Sequence, residues 1–379
     1  MKLTVLKERL DGEPRVAATP DTVKRFTGLG LDVFIETGAG LSSGILDEAY
    51  ASAGGKIASS AQEAAQDADI VLKVRAPSRD ELALFKRGAL VIGLLNPYAE
   101  HEMIPAYASA GVMAFAMELL PRISRAQSMD VLSSQSNLAG YRAVIDAAAV
   151  IARAFPMMMT AAGTVPPARV LVMGAGVAGL QAIATAKRLG AIVSATDVRP
   201  AAKEQVESLG GTFVAVIDDE FKAAETAAGY AREMSAAYQA KQAALIAQTI
   251  LKQDVIITTA LIPGRPAPKL VTAAMVASMK PGSVIVDLAV EQGGNVEGSR
   301  PGEIVQASGV KIIGYKNVPG RVANDASMLY AKNLLNFLTP LIDKEKKALK
   351  LDFSDEIVAG TLLTRDGAVV HKSFGGGAA

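Results

Sequence analysis

The residues with the plainest chemical potential are glycines. Gly174-Ala175-Gly176-Val177-Ala178-Gly179 follows the apolar run Val170, Leu171, Val172, Met173 and opens a helix-like segment, Leu180 to Leu189. A second strand-like run, Ala191 to Thr196, ends on Asp197, 18 residues past the third glycine. Strand, Gly-x-Gly-x-x-Gly, helix, strand and acid in that order form the dinucleotide-binding pattern. Gly174 would permit the tight turn, Gly176 would let a pyrophosphate approach the backbone, and Gly179 would let the helix pack on its strand. The helix N-terminus offers unpaired N–H groups and about half an elementary positive charge to the phosphates. Asp197 would accept from adenosine ribose hydroxyls and repel a 2′-phosphate, which points to NAD(H) over NADP(H), with the nearby Arg199 as a counter-indication. The competing reading makes the glycines a packing turn and Asp197 the cap of a helix beginning near Pro200.

A second candidate is the polar string from Arg122 to Asn137, RISRAQSMDVLSSQSN, after an apolar stretch ending at Leu120. Loops at strand ends are where α/β proteins keep ligand contacts. Gln127, Asp130 and Ser133 are three apart and would share a side on a helical or turn-like backbone. Arg122 can donate to an amide oxygen, Asp130 can accept from an amide nitrogen, and Gln127 can do either, which is the set a nicotinamide carboxamide and its ribose need. The alternative is a solvated loop whose serines and asparagine cap the next helix.

Histidine usage narrows the reaction. Only His101 and His371 exist, and neither lies in the glycine turn or the polar string. Dehydrogenases of alcohols or amines also move a proton, most often through histidine. Hydride passing between two nicotinamides needs no acid or base, only close rings and excluded water.

These residues need scaffolds. A chain of 379 residues is long for one core, so two domains are expected. Lys and Arg total 39 against 38 acids, which leaves no electrostatic footprint for nucleic acid. The absence of cysteine excludes disulfides, thiolate catalysis and Cys-bound metal, and no metal site is expected. The start, MKLTVLKERLDGE, lacks the apolar core of a signal peptide. The 17-residue uncharged run Val170 to Ala186 reads as a buried strand plus the glycine-turn helix, not a membrane span.

Strand-like runs at Leu3 to Leu6, Asp32 to Ile35, Ile70 to Val74, Leu90 to Leu95 and Val112 to Met117 alternate with helix-like stretches. Further runs follow at Val170 to Met173, Ile192 to Ala195, Thr212 to Val216, Val255 to Thr259, Ser283 to Leu288 and Lys311 to Tyr315. The class is α/β, with two Rossmann-like doubly wound parallel-sheet domains separated by a cleft and joined by long helices. Those helices are Gln135 to Phe155, stopping at Pro156, and Asp325 to Leu338, stopping before Pro340. Residues 136–326 would form the fingerprint domain, inserted in a discontinuous domain of 1–135 plus 327–379. Near the end, Ile357 to Leu363 and Ala368 to Val370 flank an Asp366-Gly367 turn, a hairpin signal. Almost forty residues separate Val216 from Val255, more than a crossover needs. They suit either a lid with Tyr230 as an aromatic contact or a plain alanine-rich helix pair.

At the level of whole strings, KERLDGEPRVAATPDTV, MELLPRISRAQSMDVLSSQSNLAGYRAVIDAA, TVPPARVLVMGAGVAGLQAIATAKRLGAIVSATDVR, TTALIPGRPAP, KPGSVIVDLAVEQGGN and NVPGRVANDAS resemble the NAD(H)-binding component of the proton-translocating NAD(P) transhydrogenases. Several strings are shared with alanine dehydrogenases, while the loop from Arg122 to Asn137 is similar to the transhydrogenase version. The resemblance implies that Arg122, Gln127, Asp130 and Ser133 lie on the nicotinamide side, with Gln127 facing the ribose and the partner's nucleotide. It places Gly174, Ala175, Gly176, Val177, Ala178, Gly179, Asp197, Val198, Arg199, Ala260 and Leu261 with the dinucleotide, and Tyr230 on a mobile loop. It further implies a homodimer on the cytoplasmic, inner face of the cell membrane. There it would dock to an NADP(H)-binding component and a membrane-spanning, proton-conducting component. The chain resembles the separate-subunit form.

Alanine dehydrogenases, by the same resemblance, hold substrate with residues matching Arg15 and Lys73 and use a histidine where this chain has Asn96. They also carry an aspartate where Glu291 stands. An amide cannot shuttle a proton at neutral pH, so alanine oxidation is expected to be weak or absent. Three classes therefore compete: a hydride-transfer subunit, a self-contained amino-acid dehydrogenase, and a non-catalytic NAD sensor.

Overall fold

Thirteen short apolar runs of this chain pair into two large sheets in a computed structural model that describes residues 1–222, 234–262 and 264–375. The first sheet comprises β1 (Lys2–Val5), β2 (Asp32–Glu36), β3 (Lys56–Ala58), β4 (Ile70–Arg75), β5 (Leu90–Leu94) and β6 (Met113–Ala116), in the order β3-β2-β1-β4-β5-β6. All its pairings are parallel, for example Leu3 with Val33 on one side and Ile70 on the other. Leu3, Leu72 and Ile92 sink into one core while Val71 and Val91 enter a second on the opposite face. Both faces being covered, the strands read as unbroken apolar runs, as parallel sheets require.

The second sheet comprises β7 (Arg169–Met173), β8 (Ile192–Thr196), β9 (Thr212–Phe213), β10 (Val255–Thr258), β11 (Val284–Asp287), β12 (Ile304–Ala307) and β13 (Val310–Ile313). Its order is β9-β8-β7-β10-β11-β13-β12, parallel except for the β12–β13 pair at the edge. Val172 faces a core with Ala195 and Ile257, while Leu171 and Ile256 face the other side. The order reverses between β7 and β10, which is where doubly wound sheets bind ligands.

Four long helices matter to the candidate site: α1 (Val131–Val150), α2 (Val177–Arg188), α3 (Ala236–Ile250) and α4 (Ala323–Leu338). The chain divides into one unit of Met1–Gln135 with Pro319–Ala379 and another of Ser136–Val318. The return crossing thus falls at Val318/Pro319, ahead of the 326/327 boundary expected from the helix pattern. The first turns of α4 account for this: Ser327 Oγ accepts from Val16 N–H at 3.0 Å and Asn324 Nδ2 donates to Ser43 O at 2.9 Å, inside the first unit.

Several local expectations shift. The helix expected from Gln135 begins at Val131 and ends at Val150. Strands β3 and β12 were not expected, nor was a small hairpin pairing Met158–Thr160 with Gly163–Val165. The stretch expected as a strand from Ile357 is mostly the helix Glu356–Thr361, capped by Asp355. The Asp-Gly turn does form between Thr364–Arg365 and Ala368–Val369, with Asp366 and Gly367 both at positive φ.

Candidate nucleotide site

In the second unit the glycine turn joins β7 to α2. Gly174 has φ +106°, a conformation closed to most L-residues, and an added Cβ would lie 2.5 Å from Thr259 Oγ1. At Gly179 a Cβ would overlap the Gly174 carbonyl, only 2.8 Å from its carbon, so glycine lets α2 seat against the strand end. Gly176 differs: no heavy atom lies within 4 Å of the Cβ it lacks. It is also the N-cap of α2 and supplies no side-chain bond to the first turn. The helix therefore opens with free N–H groups facing open space, the geometry that holds an anion. A dinucleotide pyrophosphate fits this cradle.

Asp197 follows β8 at the same edge. Its Oδ2 accepts from Ala175 N–H at 2.7 Å and Arg199 Nη2 at 3.0 Å, and its Oδ1 accepts from Arg199 N–H at 2.8 Å and Nε at 2.9 Å. Burial alone would push its carboxyl up. The Arg199 side chain and the N–H groups of Ala175 and Arg199 outweigh burial and hold it below the usual carboxylate range. The competing reading of Asp197 as a helix cap fails locally, because its bonds go to the glycine turn and to Arg199. Apolar side chains border this edge: Val177, Val198, Leu261 and Ile262 are all exposed. They follow the adjacent strands β7, β8 and β10, and exposed apolar surface at a strand-end edge suits an adenine ring.

Ala260 is held by a residue the sequence did not flag. Asn295, wholly buried, accepts from Ala260 N–H at 3.0 Å and donates to Ala260 O at 2.8 Å and Pro268 O at 2.8 Å. Its own N–H donates to Asp287 Oδ1 at 3.1 Å, so the ends of β10 and β11 are cross-tied beneath the edge. Gly140 was missed too. A Cβ there would lie 2.8 Å from the Ala178 carbonyl carbon, so α1 and α2 touch backbone to backbone just behind the glycine turn. Tyr230 lies outside the described residues. Thr196 Oγ1, next to Asp197, accepts from Gln242 Nε2 on α3 at 3.2 Å.

In the first unit the polar string splits in two. Ser124–Met129 forms a 3₁₀ helix and α1 begins directly after Asp130. Asp130 caps α1: Ser133 N–H donates to Oδ1 at 2.9 Å and Ser133 Oγ to Oδ2 at 2.5 Å. A cap on the next helix does form, but Asp130 makes it and not the serines or the asparagine; Asp130 and Ser133 are thereby bonded to each other. Ala126 and Met129 are buried, whereas Arg122 and Gln127 are exposed and neither side chain is tied down by a hydrogen bond to the described residues. Those two remain available to a ligand.

The positions matched to alanine dehydrogenase lie in the same unit. Arg15 donates to Glu13 at 2.7 and 2.6 Å and to Gln135 Oε1 at 2.8 Å, while Lys73 sits 2.8 Å from Glu81 and 3.4 Å from Glu8. Asn96 stands at φ +50° after β5, its N–H donating to Glu118. Burial pushes the Glu118 carboxyl up to about 7, opposed by the N–H groups of Asn96 and Leu95 and by the Arg75 cation. His101 is exposed, and His371 caps the 3₁₀ turn Lys372–Phe374 and meets Gly360 O at 3.2 Å. Among the described residues no acidic or histidine cluster could hold a metal, and no helix is long and apolar enough to cross a membrane.

Residues 4–139 match the family described as alanine dehydrogenase/PNT, N-terminal domain, and residues 143–372 match the corresponding C-terminal domain. An NAD(P) transhydrogenase subunit alpha component of Rhodospirillum rubrum is 59% identical over 381 residues, covering 99% of each chain. The solved transhydrogenase from Sinorhizobium meliloti is similar with a TM-score of 0.90 at 57% identity, covering 98% of this chain and 100% of that one. A solved L-alanine dehydrogenase is similar with a TM-score of 0.82 at 28% identity, covering 99% and 98%. The chain therefore belongs to the alanine dehydrogenase and NAD(P) transhydrogenase family, on the branch of the transhydrogenase alpha subunits.

Proposed function

We propose that this chain is the NAD(H)-binding component of a proton-translocating transhydrogenase. The observation that carries the reading is the uncapped start of α2 at Gly176, open to solvent and flanked by the ionised Asp197. The N–H groups of the α2 first turn would hold the pyrophosphate, and Asp197 would accept from the adenosine ribose in exchange for part of its Arg199 pairing. Val198, Leu261 and their apolar neighbours would cover the adenine, with Ala260 fixed by Asn295. Arg122 and Gln127 would meet the nicotinamide side, and Asp130 with Ser133 would shape that loop through its cap. Tyr230 is proposed as a lid contact.

NAD(H) supplies a hydride donor or acceptor, and this chain's residues orient it and keep water out. A hydride passing to NADP(H) on a partner component carries no proton, which agrees with an amide at Asn96. The Rhodospirillum relative is named as one portion of an alpha subunit. The same division of labour here means a homodimer working with an NADP(H)-binding component and a membrane-spanning proton conductor. It would sit peripherally on the cytoplasmic face.

The test combines the full chain with those components and follows NADPH-driven reduction of an NAD analogue. Turnover should need the partners, and Gln127→Asn should slow it. A self-contained amino-acid dehydrogenase is the second reading, favoured by the buried Arg15 and Lys73. Robust NADH formation from NAD and L-alanine by the chain alone would replace the first reading with the second. NADH binding without transfer under any partner condition would leave an NAD sensor.

A further inference from the structure

We propose that Asn333 and Asn336 of α4 are positioning residues for Gln127, acting through the single carbonyl of Ser128 at the end of the 3₁₀ turn. The inference rests on the reading that places Gln127 at the hydride-transfer site. Ser124–Met129 is a six-residue 3₁₀ helix. Such helices rarely exceed about four residues, because their hydrogen-bond geometry is poor. Something outside must hold this one.

On its apolar side Ala126 and Met129 are buried in the core. On its polar side the support is α4. Asn333 Nδ2 and Asn336 Nδ2 both donate to Ser128 O, each at 2.9 Å. Asn333 Oδ1 accepts from Ser134 Oγ at 2.7 Å, so one amide ties the end of the 3₁₀ turn to the first turn of α1. A carbonyl at a helix end lacks an intrahelical partner and has two lone pairs; here both are filled from one helix face. The residues are three apart, the spacing that puts side chains side by side.

Asparagine is a poor choice for a helix interior. Two of them converging on one oxygen break the local rule at a place where the gain lies in geometry, a mark of a functional constraint. Ser128 follows Gln127 directly, so fixing its carbonyl fixes the backbone from which Gln127 projects. Gln127 has no side-chain hydrogen bond to the described residues, and its aim depends on this backbone.

The experiment pairs Asn333→Asp, which keeps the acceptor for Ser134 and loses the donor, with Asn336→Ala, in the full chain assayed with its partner components. The pair should lower kcat for NADPH-driven reduction of an NAD analogue about tenfold, with KM for the analogue within about twofold. Restoring either asparagine should raise the rate about threefold from that level, since one donor then returns to the carbonyl. In a Gln127→Ala background the same pair should change kcat by less than about twofold, because the two act as a unit. If Gln127→Ala slows transfer and the pair does not, or if the effects multiply, the positioning role is refuted and the proposed function stands. If Gln127→Ala itself leaves kcat unchanged, the placement of this loop at the hydride site is refuted. Asn336→Ala alone, at a half-buried position, should slow kcat about threefold and covers the case in which the pair does not fold; an unchanged rate there overturns the proposal.

Discussion

Gly176 and Gly179 sit three residues apart in one turn, yet replacing each with alanine should fail in opposite ways. At Gly179 the new methyl would lie 2.8 Å from the Gly174 carbonyl carbon and closer still to its oxygen, against an ordinary contact of 3.4–4 Å. Both atoms are backbone, so α2 itself must move. Overpacking of this kind costs about 1–3 kcal/mol, and backbone against backbone places it near the upper end. For a unit of this size that corresponds to a melting temperature lower by about 6–12 °C. At Gly176 the methyl meets nothing within 4 Å, and the residue's φ of −73° and ψ of −170° suit alanine. Stability should therefore stay within about 0.5 kcal/mol. The methyl would project into the open space beside the start of α2, where the pyrophosphate is proposed to lie, and should cost at least one charge-assisted hydrogen bond to a phosphate. That bond is worth about 1.5–3 kcal/mol, or roughly 10- to 150-fold in Kd for NADH. Thermal melts and NADH fluorescence titrations separate the two. A Gly176→Ala chain that binds NADH like the wild type would refute the pyrophosphate placement.

Two further outcomes follow from buried charge. Glu118 has a carboxyl raised from 4.5 to about 7 by burial, so its stabilising contribution is full below pH about 4.5 and is lost as pH rises through 7. Glu118→Gln should gain on the wild type between pH 5 and pH 8, by up to about 3 kcal/mol; a melting-temperature difference that stays constant across that range would contradict it. Lys73→Met should cost about 3–5 kcal/mol in urea unfolding, because Glu8 and Glu81 are left buried without their cation. Adding Glu8→Gln and Glu81→Gln should restore much of that loss, and no recovery would point to packing instead.

The glycine turn was legible in the sequence because every part of it is local: strand, glycines, helix and acid within one βαβ unit. Strands with both faces buried announced themselves as apolar runs, whereas β3 and β12, short and at sheet edges, had too little burial to stand out. Asn295 and Gly140 were not legible for another reason. Their roles depend on Ala260 and Ala178, which are 35 and 38 positions away in the chain, and nothing in their own neighbourhoods signals that approach. Asp130 was read for its charge toward a ligand, yet the fold uses both its oxygens to start α1. Asp366-Gly367 was read correctly as a turn, but the segment before it lacked alternation and became a helix.

The clasp around Asp197 bears on how such a chain could answer to a hydrogen-ion gradient. Four donors hold that carboxyl below the ordinary acid range, so its charge is the same on either side of an energised membrane. Acidification within physiological limits finds no handle there. Under the proposed function, an influence of proton flow on nucleotide affinity would not run through the charge of Asp197 and would instead reach this edge as a change of shape imposed from a neighbouring component.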